Sequence, residues 1–180
     1  MKKFLVWSLI LSFVVLLGPV NAIAAESTPN AVPHSKEFEK MKGLVGVWEG
    51  STGTGKGRQV LKVAYELTSA GNTILERLFV GLPHEMVTVY YDYAGKLTMT
   101  HYCSLGNQPH MDLTKSGDKT IVFELSKRSP NLVSIKEAHM HALKIDFNGR
   151  DNITQTWMLY EGGKKKADTV IELKRLKPSK

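Results

Sequence analysis

The sequence predicts an all-β protein, a ten-stranded antiparallel up-and-down β-barrel behind a short N-terminal helix. Three observations predict it. From residue 44 onward the chain is a series of short segments rich in Val, Ile, Thr, Tyr and Phe, many of them alternating apolar with polar. Turn residues separate the segments, and no helical crossover intervenes, so neighbouring strands run antiparallel. Sequential strands joined by tight turns close best on themselves, which removes exposed sheet edges.

The first 24 of the 180 residues read as a secretory signal peptide. Lys2 and Lys3 give a positive start, 4–17 is an apolar run broken only by Ser8 and Ser12, and Ala22-Ile23-Ala24 offers a small-residue cleavage site. That run is too short for a membrane-spanning helix. Cleavage would leave 156 residues, one domain by size, and lower the net charge from +7 to +5. An exported protein, periplasmic or extracellular, is the expected result, with no stable membrane insertion after cleavage.

Residues 25–34 form a polar, Pro-containing lead-in, 35–177 the single barrel domain, and 178–180 the end of a basic tail. Ser35 can cap a short helix whose Phe38 and Met41 share one side, ending near Gly43. The expected strands are 44–51, 59–68, 73–80, 85–91, 96–104, 108–114, 120–125, 138–146, 152–160 and 168–176. Ala70-Gly71-Asn72, Ala94-Gly95, Ser116-Gly117-Asp118, Asn148-Gly149 and Gly162-Gly163 supply the turns between them. Only 126–137 is long, and it is read as holding a helical turn or a lid.

Period two then sorts the faces. Leu97, Met99, His101 and Cys103 share one side, as do His139, His141, Leu143, Ile145 and Phe147, and Ile153, Gln155, Trp157 and Leu159. Each apolar-rich side is assigned to the interior, with Met140 and Ala142 outside. Strand three is undecided between Ile74, Glu76 and Leu78 on one face and Leu75, Arg77 and Phe79 on the other.

The first strand reads Leu44-Val45-Gly46-Val47-Trp48-Glu49-Gly50. A short helix leading into G-x-W on an opening strand resembles the start of lipocalins and their calycin relatives. The further Gly50 is similar to the ten-stranded, nitrobindin-type branch and to small exported bacterial lipocalin-like proteins of unknown function, which His101-Tyr102-Cys103-Ser104-Leu105-Gly106-Asn107-Gln108-Pro109 also resembles. The resemblance implies a barrel with an internal cavity for small apolar molecules or, in the nitrobindin branch, haem. It also implies a structural pair, with Trp48 plugging the barrel floor and Arg175, on the last strand, lying across the ring.

Among chemistry-bearing residues, His139-Met140-His141 is the sharpest feature. On a strand, i and i+2 side chains emerge on one face about 6.5–7 Å apart, near enough to share a ligand or an ion. His101 and Cys103 repeat the spacing. The candidate ligand-binding set is therefore His101, His139, His141, Leu143, Phe147, Gln155 and Trp157, a pocket polar at one end and apolar at the other. Should His101, Cys103, His139 and His141 converge, zinc or haem iron would suit them; otherwise no cofactor is expected. The bland alternative is that these histidines bond to tyrosine, glutamine or backbone in a wet interior.

No catalytic residue is assigned. Cys103 is a lone thiol without a readable base-and-orienter pair, and it cannot form an internal disulfide. Gly53-Thr54-Gly55-Lys56-Gly57 lacks the spacing of a phosphate loop and precedes no helix, so it reads as a hairpin. The lysines of 164–166 and 174–180 occupy a turn and a tail, without interleaved aromatics, which excludes a nucleic-acid partner. The sequence thus points to a small-molecule binder of unstated oligomeric state. A metal or haem protein, and a filled-core structural barrel, are the alternatives.

Overall fold

The computed structural model describes residues 33–53 and 55–177. The expected signal peptide (1–24), all but the last two residues of the lead-in, and the tail end at 178–180 lie outside the described residues. One helix, α1 (Lys36–Lys42), precedes ten strands: β1 (Gly46–Thr52), β2 (Gln59–Thr68), β3 (Thr73–Leu78), β4 (Met86–Tyr93), β5 (Lys96–Tyr102), β6 (His110–Ser116), β7 (Thr120–Leu125), β8 (His139–Phe147), β9 (Asn152–Glu161) and β10 (Lys164–Arg175). Each strand pairs antiparallel with its neighbour in sequence, and β10 pairs with β1 to close the barrel. Among the described residues, no helix is long and apolar enough to cross a membrane.

Strand ends depart from the expected bounds for local reasons. β3 stops at Leu78 because Phe79 adopts φ 60°, turning the chain into the 79–85 loop. β6 begins at His110, after Pro109, whose missing N–H cannot join a ladder. β10 begins at Lys164 rather than in a longer lysine-rich turn. Gly162 and Gly163, at φ 62° and 75°, make a two-residue hairpin, so Lys164 and Lys165 already pair with Glu161 and Tyr160. The 126–138 connection contains no helix and runs as an irregular loop.

The helix forms as expected: Ser35 caps it by accepting from Phe38 N at 3.1 Å, and Phe38 and Met41 are buried. It covers one end of the barrel. Ser35 N and Oγ donate to Asp92 at 2.6 and 2.7 Å, and Lys40 Nζ donates to the carbonyls of Gly117 and Asp118. Trp48, fully buried, donates from Nε1 to Leu44 O at 2.8 Å. Its cross-strand partner Arg175 lies over the ring, 4.2 Å from the ring centroid, and donates to Val45 O and Gly43 O. The expected Trp48–Arg175 pair is thus present, and it seals the β1–β10 seam beneath the helix.

The 53–58, 79–85, 103–109 and 126–138 connections and the Gly162–Gly163 hairpin gather at the opposite end. Between the two ends the interior is filled with large side chains, including Trp48, Tyr65, Tyr90, Phe123, Met99, Met111 and Trp157. The ambiguity in β3 is resolved with Ile74, Glu76 and Leu78 inside.

Candidate functional site

A row of polar side chains crosses the apolar interior at one level. Tyr65 on β2 faces Glu76 on β3, Glu76 faces Thr88 on β4, and Thr88 faces His101 on β5. Partners directly opposite across an antiparallel pair share a face, so all four point inward together. Gln155 on β9 reaches across the barrel to Glu76 and to the Tyr65 hydroxyl, while Tyr90 donates to Glu76 at 2.8 Å. Trp157 Nε1 donates to Gln155 Oε1 at 3.0 Å. Glu76, Thr88, His101, Gln155 and Tyr90 are all without solvent exposure.

Burial governs the electrostatics of this row. Desolvation raises the Glu76 carboxyl, although hydrogen bonds from Gln155, Tyr90, Tyr65 and Thr88 oppose it. Desolvation, and then the nearby Glu76 charge, push the Tyr65 and Tyr90 hydroxyls well above their usual range. His101 is lowered to about 4 by burial alone, so it is neutral at physiological pH. Its Nδ1 lies 2.9 Å from Thr88 Oγ1, and its ring packs on Trp157 with centroids 4.4 Å apart. The other ring nitrogen, Nε2, is buried and has no hydrogen-bond partner.

Sequence reasoning placed His101, Gln155, Trp157 and Leu143 inside, and all four are buried in the barrel. Phe147 lies toward the helix-covered end, with Lys40 Nζ 4.2 Å above its ring. Tyr65, Tyr90 and Thr88 were missed as part of the polar row, although each continues the inward period-two pattern of its strand.

The inward assignment of His139 and His141 is corrected by a β-bulge. The β8–β9 register shifts between Met140 and Ala142, which inserts His141 as an extra residue. After the bulge Leu143 opposes Trp157 and faces in; before it Met140 packs against the core and His139 opposes Tyr160. Both histidines therefore share the strand face of Tyr160 rather than that of Trp157 and Leu143, where His139 is fully buried and His141 is half-buried. His141 stacks on Tyr160 at 3.8 Å, and His139 Nε2 and His141 Nδ1 are 3.1 Å apart. His139 Nδ1–H donates to Glu137 O, which makes Nε2 the acceptor of the His141 Nδ1 proton. Burial, then His139, lowers the His141 pKa.

The correction separates the four candidate metal ligands. His101 and Cys103 face the barrel interior, while the register puts His139 and His141 on the other face of β8, and among the described residues no three His, Cys, Asp or Glu side chains gather as a metal site. The set does not fit zinc. Haem needs only one axial imidazole, but among the described residues the histidine that faces the barrel interior, His101, is fully covered and packed against Trp157, leaving no face for a macrocycle. Cys103 is buried, and burial raises its thiol, the reverse of an activated nucleophile. A hollow of about 310 Å³ lies on the outer wall between Tyr91, Tyr93, His110, Asp112 and Arg128.

No protein-family model matches the chain, and no curated protein is similar to it. Its fold is similar to those of several solved structures, among them the following two. Rv2717c from M. tuberculosis matches with a TM-score of 0.53 at 15% identity, covering 81% of this chain and 100% of that one. A DUF3598-family protein of unknown function from Nostoc punctiforme PCC 73102 matches with a TM-score of 0.52 at 14% identity, covering 83% of this chain. This chain spans about half of that second protein, 53% of its length. At these identities the likeness shows a shared barrel.

Proposed function

We propose that this chain is an exported, lipocalin-like barrel that takes a small, mostly apolar or amphipathic ligand, whose polar group meets His101. One observation carries the reading: His101 Nε2 is buried without a partner beside a row whose other members are hydrogen-bonded. A buried polar atom left unpaired costs about 1–3 kcal/mol, so such an atom points to a missing partner. The Thr88 hydroxyl faces both Glu76 and His101 but has one proton. Spent on Glu76, it requires Nδ1–H to donate to Thr88 and leaves Nε2 a bare lone pair, an acceptor for a ligand hydroxyl or acid proton. Entry is from the end opposite α1, where Leu82, Met140 and Leu159 are partly exposed at the rim.

The dense packing of Trp48, Tyr65, Tyr90 and Phe123 restricts the ligand to a small molecule and favours the second reading, a barrel whose core is filled. Titration with dodecanoic acid and with decanol, followed by the ¹⁵N resonances of the His101 imidazole, separates the two. A ligand at Nε2 shifts that resonance saturably, and His101→Phe abolishes the binding. An Nε2 resonance unmoved by either compound overturns the ligand reading and leaves the filled barrel. Export is tested separately, by the mass of the protein recovered from outside the cytoplasm, expected to begin at or near Ala25.

A further inference from the structure

The barrel end opposite α1 carries apolar side chains that no other described residue covers. Val133 is 99% exposed and Ile135 61%, both on the 126–138 loop, and Leu105 on the neighbouring 103–109 loop is 50% exposed. Single exposed apolar residues are ordinary, but these belong to one knitted rim. Asn107 Nδ2 donates to Ala138 O at 2.8 Å, Asn131 Nδ2 to Gln108 O at 2.7 Å, and His110 N to Pro130 O at 3.1 Å. Gly162 N donates to Lys136 O at 2.8 Å, which ties the same loop to the β9–β10 hairpin. The loops are thus held together and present their apolar tips outward.

The same loops carry an excess of cations. The 126–138 loop contains Lys127, Arg128 and Lys136 against the single acid Glu137, and the hairpin adds Lys164, Lys165 and Lys166. Lys165 is matched by Asp168 at 2.7 Å and Lys166 by Glu161 at 3.4 Å. Lys127, Lys136 and Lys164 have no acidic partner within ion-pair distance among the described residues and are exposed. Apolar residues set among lysines match the two layers of an anionic bilayer: the tips reach the acyl boundary while the ammonium groups meet the phosphates.

We propose that this rim docks peripherally on an anionic lipid surface through Val133, Ile135 and Leu105, with Lys127, Lys136 and Lys164 on the headgroups. Docking requires no ligand in the barrel, so it stands apart from the reading of His101. It would also bring the barrel end opposite α1 against the lipid.

The test uses a chain beginning at Ala25. That chain keeps the whole closed barrel and its core, and so folds without the apolar segment before it, which would itself seek lipid. Co-flotation is measured with vesicles of phosphatidylglycerol and, separately, of phosphatidylcholine. The wild type partitions to phosphatidylglycerol, much less to phosphatidylcholine, and releases as salt is raised. The pair Val133→Ser with Ile135→Ser lowers partitioning at least tenfold, while Lys136→Gln with Lys164→Gln lowers it and flattens the salt dependence. Both variants keep the wild-type melting temperature, because none of the four side chains packs in the core. Absence of binding to phosphatidylglycerol at low salt overturns the proposal. So does binding that the Val133/Ile135 variant leaves unchanged.

Discussion

At the scale of single residues, the β1–β10 seam shows how much of the fold depends on a few side chains and on one missing side chain. A Cβ at Gly50 would lie 1.8 Å from the carbonyl oxygen of Glu172 on β10, so the strands close only because no side chain stands there. Gly50→Ala forces those backbones apart, and a loss of about 2–4 kcal/mol in denaturant unfolding is expected. An unchanged midpoint would show that the seam yields freely. Two residues earlier, Trp48 fills the covered end, and Trp48→Ala is expected to cost about 3–5 kcal/mol in the same measurement. Arg175 holds that ring by charge and by two donated bonds, to Gly43 O and Val45 O. Arg175→Lys keeps the cation but cannot span both carbonyls, so a loss of about 1–2 kcal/mol is expected by thermal or denaturant unfolding.

At the scale of elements, β8 shows what the sequence hides. Its alternation of His139, His141, Leu143 and Ile145 reads as one face, yet the inserted residue at His141 turns the leading part of the strand over. If so, replacing both His139 and His141 by Ala leaves the amide resonances of His101, Gln155 and Trp157 in place. The change costs about 2–4 kcal/mol, from the lost hydrogen bonds and from the void left by the fully buried His139 ring. Shifts spreading through those interior residues would place the histidines inside after all. Outside β3, whose two faces compete, and β8, most strands carry a readable pattern or turn because packing against one interior imposes period two on them. That is why β5 and β9 could be faced correctly residue by residue. A bulge is a backbone event without a residue signature, so it is invisible to periodicity. The start of β10 was obscured for a different reason: its three lysines resemble a turn, but Gly162 and Gly163 alone suffice to make one. The polar row is intermediate, since His101, Gln155 and Glu76 were in view while its continuity across β2–β5 emerges only from the register.

At the scale of the molecule, the buried row ties stability to pH through two groups that act in opposite directions. Glu76 is raised in the folded state, so its contribution is greatest at low pH and declines as pH rises through its folded value. His101 is lowered from 6.5 to about 4, so below 6.5 the unfolded chain binds a proton that the folded chain refuses. Stability due to His101 is therefore complete above 6.5 and lost as pH falls toward 4; the shift corresponds to about 3 kcal/mol. Because Glu76 opposes this change across part of the same window, the wild-type curve alone understates it. His101→Phe keeps an aromatic ring against Trp157 and removes the titrating group. Denaturant unfolding of both proteins between pH 4 and 7 isolates the histidine: the wild type gains about 3 kcal/mol relative to the variant as pH rises through that range. A difference that stays flat would mean that His101 is protonated or solvated within the barrel. The row would then be wet, and the unpaired Nε2 would need no ligand to explain it.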